Sequence, residues 1–95
     1  MSAAKRLLDL GGARGLWHVG PGNPYVGVSI KATWLRAWGG KPPGFSVIGV
    51  LRQTFTPNGR AMIGVVRAVR PGGGFKDWNV PWSRRWLAVE ELAAD

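Results

Sequence analysis

The sequence predicts a mostly β domain with a short N-terminal helix, and three observations carry this expectation. Residues 25–38 alternate apolar and polar side chains with the period of a half-buried strand. Two further apolar runs, residues 45–56 and 60–70, flank Pro57-Asn58-Gly59, a turn sequence. Stretches rich in glycine and proline at 11–24, 39–44 and 71–74 separate the runs and suit no regular element. Ninety-five residues make one domain with a single modest core. We place a helical arm at residues 1–12 and one β domain at residues 13–95.

Taken in order, residues 2–10 can form about two helical turns. Ser2 is a candidate N-cap, Ala3, Leu7 and Leu10 share a face, and Gly11-Gly12 stops the helix. The loop that follows has room for one short edge strand through Trp17. In the first β run Val26, Val28, Ile30, Ala32 and Trp34 share a face, with Ser29, Lys31 and Thr33 on the other. Pro57, Asn58 and Gly59 fit a three-residue hairpin with a bulge. Thr56 opposite Arg60 would then pair Val50 with Val66, Leu51 with Val65 and Val47 with Val69. Apolar residues fall on both faces of this hairpin, so cover on both sides is expected over part of it. After Pro71-Gly72-Gly73-Gly74 a strand runs through residues 75–80. The last segment has two readings. Trp82, Trp86, Val89 and Ala93 have helical spacing, but Arg84 and Arg85 early and Glu90 and Glu91 late oppose the helix dipole. The alternative is one 3₁₀ turn over 81–85 and a closing strand over 86–89.

The second reading brings out a family likeness. A hairpin, a flexible turn, a strand ending in Val80-Pro81-x-Ser83, one tight turn and a short last strand resemble the closing half of an SH3-like small barrel, over about residues 45–92. The resemblance implies a barrel of about five strands, a scaffold that binds nucleic acid, peptides or other subunits. The acidic loop and aromatic signature that open a peptide-binding SH3 domain are absent. Fold alone does not choose among these functions.

Charge narrows the partners. Thirteen Lys and Arg stand against five Asp and Glu, a formal net charge of +8, and residues 10–89 carry Asp77 alone against eleven basic side chains. Such a balance expects a polyanion: nucleic acid, an acidic protein or an anionic membrane face. There is no cysteine, which excludes a disulfide scaffold, a Cys-based zinc site and a thiol nucleophile. Asp9 interrupts an N-terminal apolar run too short for a signal peptide, and no stretch reaches the ~20 apolar residues of a membrane span. A soluble, cytoplasmic protein is expected.

Little in the chain suggests catalysis. His18 is the sole histidine and has no carboxylate near it in sequence; a loop histidine packed beside Trp17 is the simpler account. Glu90 and Glu91 are adjacent and point apart in either a strand or a helix. Gly20-Pro21-Gly22 has Tyr25 where a dinucleotide fingerprint needs its third glycine, and metal-ligand spacings are missing. Gly72 to Gly74 could cradle one phosphate with backbone N–H groups, but a plain hairpin loop is the simpler account. No enzyme activity and no cofactor are expected.

Binding is better supplied. Six tryptophans and nine arginines share the chain, interleaved in Trp34-Leu35-Arg36-Ala37-Trp38 and again from Trp78 to Trp86. Flat aromatic faces in a positive field suit stacked bases and phosphates. The expected phosphate contacts are Arg36, Lys41, Arg67, Arg70, Lys76, Arg84 and Arg85, gathered from loops at one end of the domain. Trp38, Trp78 and Trp82 are either stacking rings or core, and Trp34 and Trp86 are assigned to the core. The alternative is a protein-interaction module, an inhibitor or assembly subunit docking on an acidic protein, because Trp and Arg also dominate interface hot spots. A membrane-surface role would require Trp82, Trp86 and Val89 on one helical face, and the acidic pair beside them opposes it. A continuous groove favours nucleic acid; a flat apolar centre with a basic rim favours protein.

Overall fold

Period-two alternation organises the chain. The computed structural model describes residues 5–6, 17–19, 22–59 and 61–92. Its strands are β1 (Lys5–Arg6), β2 (Ser29–Trp34), β3 (Ser46–Phe55), β4 (Ile63–Val69), β5 (Phe75–Pro81) and β6 (Leu87–Leu92). They form one antiparallel sheet in the order β1-β6-β2-β3-β4-β5. Ile30, Ala32 and Trp34 of β2 are buried while Ser29 is exposed, as the alternation requires.

A flat sheet cannot have this connectivity. β5 and β6 stand four inter-strand spacings apart in the order, or roughly 19 Å. Yet the chain passes from one to the other through a single tight turn, in which Leu87 N–H donates to the Ser83 carbonyl at 2.8 Å. The sheet must therefore roll, and β3 is where it bends. A Cβ on Gly49 would lie 2.2 Å from the Arg67 carbonyl oxygen, so the backbone of β4 crosses where a side chain would stand. Among the described residues β1 and β5 remain the two edges and do not pair, so the sheet is rolled but open.

The concave face holds the core. Ile30, Leu51, Val66, Val80, Trp82, Leu87 and Val89 are fully buried, with Trp34 at 2% exposure. Trp82 lies on β4 because Gly64 has no side chain there; a Cβ would come within 2.6 Å of the indole. Trp17 packs on Trp82 from the other side, ring centroids 4.9 Å apart. The segment carrying Trp17 is tied down by a buried polar group. Asn23 Nδ2 donates to the His18 carbonyl at 2.6 Å and to Thr54 Oγ1 at 3.2 Å, while Asn23 Oδ1 accepts from Tyr25 N–H.

Several expectations need correction. Lys5–Arg6 pair with Leu92 and Glu91, so these two residues are extended where a helix over 2–10 was expected; the rest of that helix lies outside the described residues. No strand runs through Trp17, residues 25–27 turn rather than extend, and the run expected over 25–38 is a strand only over Ser29–Trp34. The β3–β4 hairpin exists in a different register, with Leu51 opposite Val66, Val50 opposite Arg67 and Phe55 opposite Ile63. Pairing follows burial: Leu51 and Val66 are both core residues, and cross-strand partners must share a face. Pro57–Gly59 form a 3₁₀ turn with Asn58 at φ 51°, and an irregularity between Leu51 and Gln53 absorbs the shift. The second cover expected for this hairpin is not supplied by the described residues, since Ile48 and Val69 are exposed on the outer face. The closing segment is a turn and a strand. Trp82 and Val89 are then core residues, and no helical face joins them to Trp86. Among the described residues no helix is long and apolar enough to cross a membrane.

Candidate functional site

The segment 35–45, between β2 and β3, builds the most distinctive surface. Gly39 (φ 59°) and Gly40 (φ 81°) are both left-handed, as a two-residue hairpin turn demands. Trp38 and Lys41 close it by exchanging backbone hydrogen bonds of 3.0 Å. The buried Trp34 then pins the hairpin to the core, its indole N–H donating to the Trp38 carbonyl at 3.0 Å. Where this segment re-enters β3, Phe45 meets Trp34 edge-on at 5.0 Å and Trp78 of β5 at 5.4 Å.

Cations lie over these rings. Lys76 Nζ is 4.0 Å from the Trp78 centroid, and Lys41 Nζ is 4.9 Å from that of Phe45 and 5.5 Å from that of Trp78. At the other end the Arg36 guanidinium is 5.4 Å from the Trp86 ring. Trp38, 6.4 Å from Trp34, links the two ends, because it shares with Trp86 an open cleft of about 400 Å³. Ala61, Met62, Pro81 and Ser83 complete the lining. Half-buried rings thus form two groups, Trp78 with Phe45 beside Lys76 and Lys41, and Trp38 with Trp86 beside Arg36, and the buried Trp34 touches both Phe45 and Trp38. Among the described residues no ion pair engages these three cations.

The turn that presents Trp86 is rigid. Ser83 N–H donates to the Pro81 carbonyl at 2.7 Å, Trp86 N–H to the Ser83 carbonyl at 3.0 Å, and Arg85 N–H to Ser83 Oγ at 3.2 Å. Leu35 N–H donates to the Trp86 carbonyl at 2.9 Å, joining the turn to the segment that carries Arg36 and Trp38. Arg84 and Arg85 project from it, exposed.

The expected site residues therefore divide. Lys41, Lys76 and Trp78 come together around Phe45, while Arg36 and Trp38 stand by Trp86, in whose turn Arg84 and Arg85 lie. Arg67 does not join them: on the opposite face of the sheet it makes a bidentate pair with Asp77 (2.8 and 3.0 Å) and lies 3.8 Å over Phe75. Hydrogen bonding from this guanidinium holds the Asp77 carboxyl below the usual carboxylate range and raises the pKa of Arg67 itself. Arg70 belongs to the β4–β5 turn, where its N–H donates to the Gly74 carbonyl and its carbonyl accepts from Gly73 N–H. That second bond occupies one donor of the suggested phosphate cradle. Trp82 is completely buried and offers no face for stacking, whereas Trp86, assigned to the core, is at the surface. Phe45, Met62 and Pro81 were not foreseen as parts of a site. The Trp38-Gly39-Gly40-Lys41 turn carried the one readable signal, two glycines between a ring and a cation.

Compared with known proteins, the chain matches no protein-family model, and it has no significant match among curated proteins or solved structures.

Proposed function

We propose that this is a non-enzymatic binding protein for single-stranded nucleic acid, built on an SH3-like barrel scaffold. The strand order β6-β2-β3-β4-β5 and the tight turn before the closing strand support the scaffold reading. One observation carries the function: half-buried rings alternate along one surface with cations that no acidic side chain neutralises among the described residues. Bases offer flat faces to Trp78, Trp38 and Trp86 only when unpaired, which favours a single strand over a duplex. Lys41, Lys76 and Arg36, with Arg84 and Arg85 at the turn, then meet successive phosphates.

Titrating intrinsic tryptophan fluorescence with short single- and double-stranded oligonucleotides, at low and at physiological salt, tests this reading. Saturable quenching by the single strand that survives physiological salt is the expected result. The joint substitution Arg84→Ala and Arg85→Ala should weaken binding and flatten its salt dependence. Absence of saturable quenching would overturn the proposal. An acidic protein partner is the second reading, favoured by the apolar lining of the cleft between Trp38 and Trp86.

A further inference from the structure

We infer that the cleft between Trp38 and Trp86 is a pocket for one unstacked nucleobase, which would let the interface recognise a base as well as a charged backbone. The inference rests on the single-strand reading above and deepens it. Size comes first. At about 400 Å³ the cleft is near the lower end of small-ligand sites, suited to one planar heterocycle and too small for a duplex or a docked helix. Its walls come next: two indoles, the Met62 side chain and the Pro81 ring give flat, polarisable surfaces of the kind that hold splayed bases.

The polar inventory of the cleft is small and one-sided. Ser83 Oγ accepts from Arg85 N–H, so its own hydroxyl proton remains to donate to a ligand. The carbonyls of Pro81, Met62 and Ser83 already accept backbone hydrogen bonds from Ser83, Trp82, and Trp86 with Leu87, respectively. The side-chain donors of the lining residues, the Ser83 hydroxyl and the two indole N–H groups, suit the acceptor edge of a base, which every nucleobase possesses. Among the described residues no carboxylate lines the cleft, and Arg36 over Trp86 stands where the phosphate attached to a bound base would pass. The hydrogen-bonded turn and the Leu35–Trp86 link fix these walls in advance, which limits the ordering cost of binding.

The test compares a fully abasic single strand with the same strand carrying one base, on the wild type, Trp86→Leu and Met62→Trp. Met62 is 40% exposed, so the second substitution narrows the cleft from its rim without disturbing the core. The wild type should bind the one-base strand on the order of tenfold more tightly than the abasic strand. Both variants should lower that ratio severalfold, leaving what stacking on Trp78 contributes, and Met62→Trp, which removes no ring or cation of the interface, should keep the abasic affinity. A ratio that persists in both variants would overturn the pocket and leave the interface standing. If no strand binds at all, the single-strand reading fails and the pocket with it. Saturable binding of an acidic, aromatic-bearing peptide that Met62→Trp blocks, with the base preference intact, would overturn the pocket in favour of a protein ligand.

Discussion

Arg67 and Asp77 show how a basic protein withdraws one of its cations from general duty. They face each other across β4 and β5, and the bidentate bond occupies one edge of the guanidinium and sets a carboxylate against any approaching phosphate. The folded Asp77 carboxyl is held low, so the pair favours the fold above the unfolded carboxylate pKa of ~3.9. That contribution fades as pH falls through the lower folded value. An NMR titration of the Asp77 carboxyl should place its midpoint below the ordinary range, and Arg67→Ala should return it there. Asn23 is the converse case, a buried polar group whose bonds are structural. Asn23→Ala would remove the donor shared by the His18 carbonyl and Thr54, at a cost of about 1–3 kcal/mol. Urea unfolding measures this, and an unchanged midpoint would mean that the Trp17 segment does not depend on Asn23.

Two glycines decide what the strands can do as elements. Gly49 and Gly64 both face the concave side, and both are approached closely, but by different neighbours. At Gly64 the obstacle is a side chain, the buried Trp82 ring, so Gly64→Ala should cost at least the about 1–3 kcal/mol typical of overpacked cores. At Gly49 the obstacle is the Arg67 carbonyl, and backbone cannot rotate out of the way. Gly49→Ala should therefore be the more destabilising of the two, and thermal unfolding of both variants gives the order. The same contrast explains what could be read in advance. β2, β5 and the existence of the β3–β4 hairpin were legible because alternation and turn chemistry are local. The hairpin register and the roll at Gly49 were not, since they follow from which residues a distant part of the chain buries. Trp82 and Trp86 make the point within five residues. Identical side chains on one turn part company because Gly64 leaves room for the first indole, while the second lines the cleft beside Arg36.

At the scale of the whole molecule, a charge of +8 attracts any polyanion, so affinity alone cannot locate an interface. Composition made a binding surface legible, and the loops supplied most of the cations; which of them converge depended on a roll that spacing does not reveal. Salt dependence separates the general field from the local track. For a single strand the logarithm of affinity falls with that of salt at a slope of roughly 0.7 per phosphate neutralised. The triple variant Arg36→Ala, Lys41→Ala and Lys76→Ala should make the slope shallower by about two if those side chains each hold a phosphate. A charge-matched control is available in Lys31→Ala, Arg52→Ala and Arg67→Ala, which likewise removes three cations and lowers the net charge from +8 to +5. Lys31 and Arg67 lie on the outer face of the sheet, Arg52 sits at the β3 irregularity, and none of them borders the ring track. If the track is the interface, only the first variant changes the slope strongly. Equal slopes in both variants would mean that the strand feels the overall charge and no particular surface, and the ring–cation alternation would then be structural packing alone.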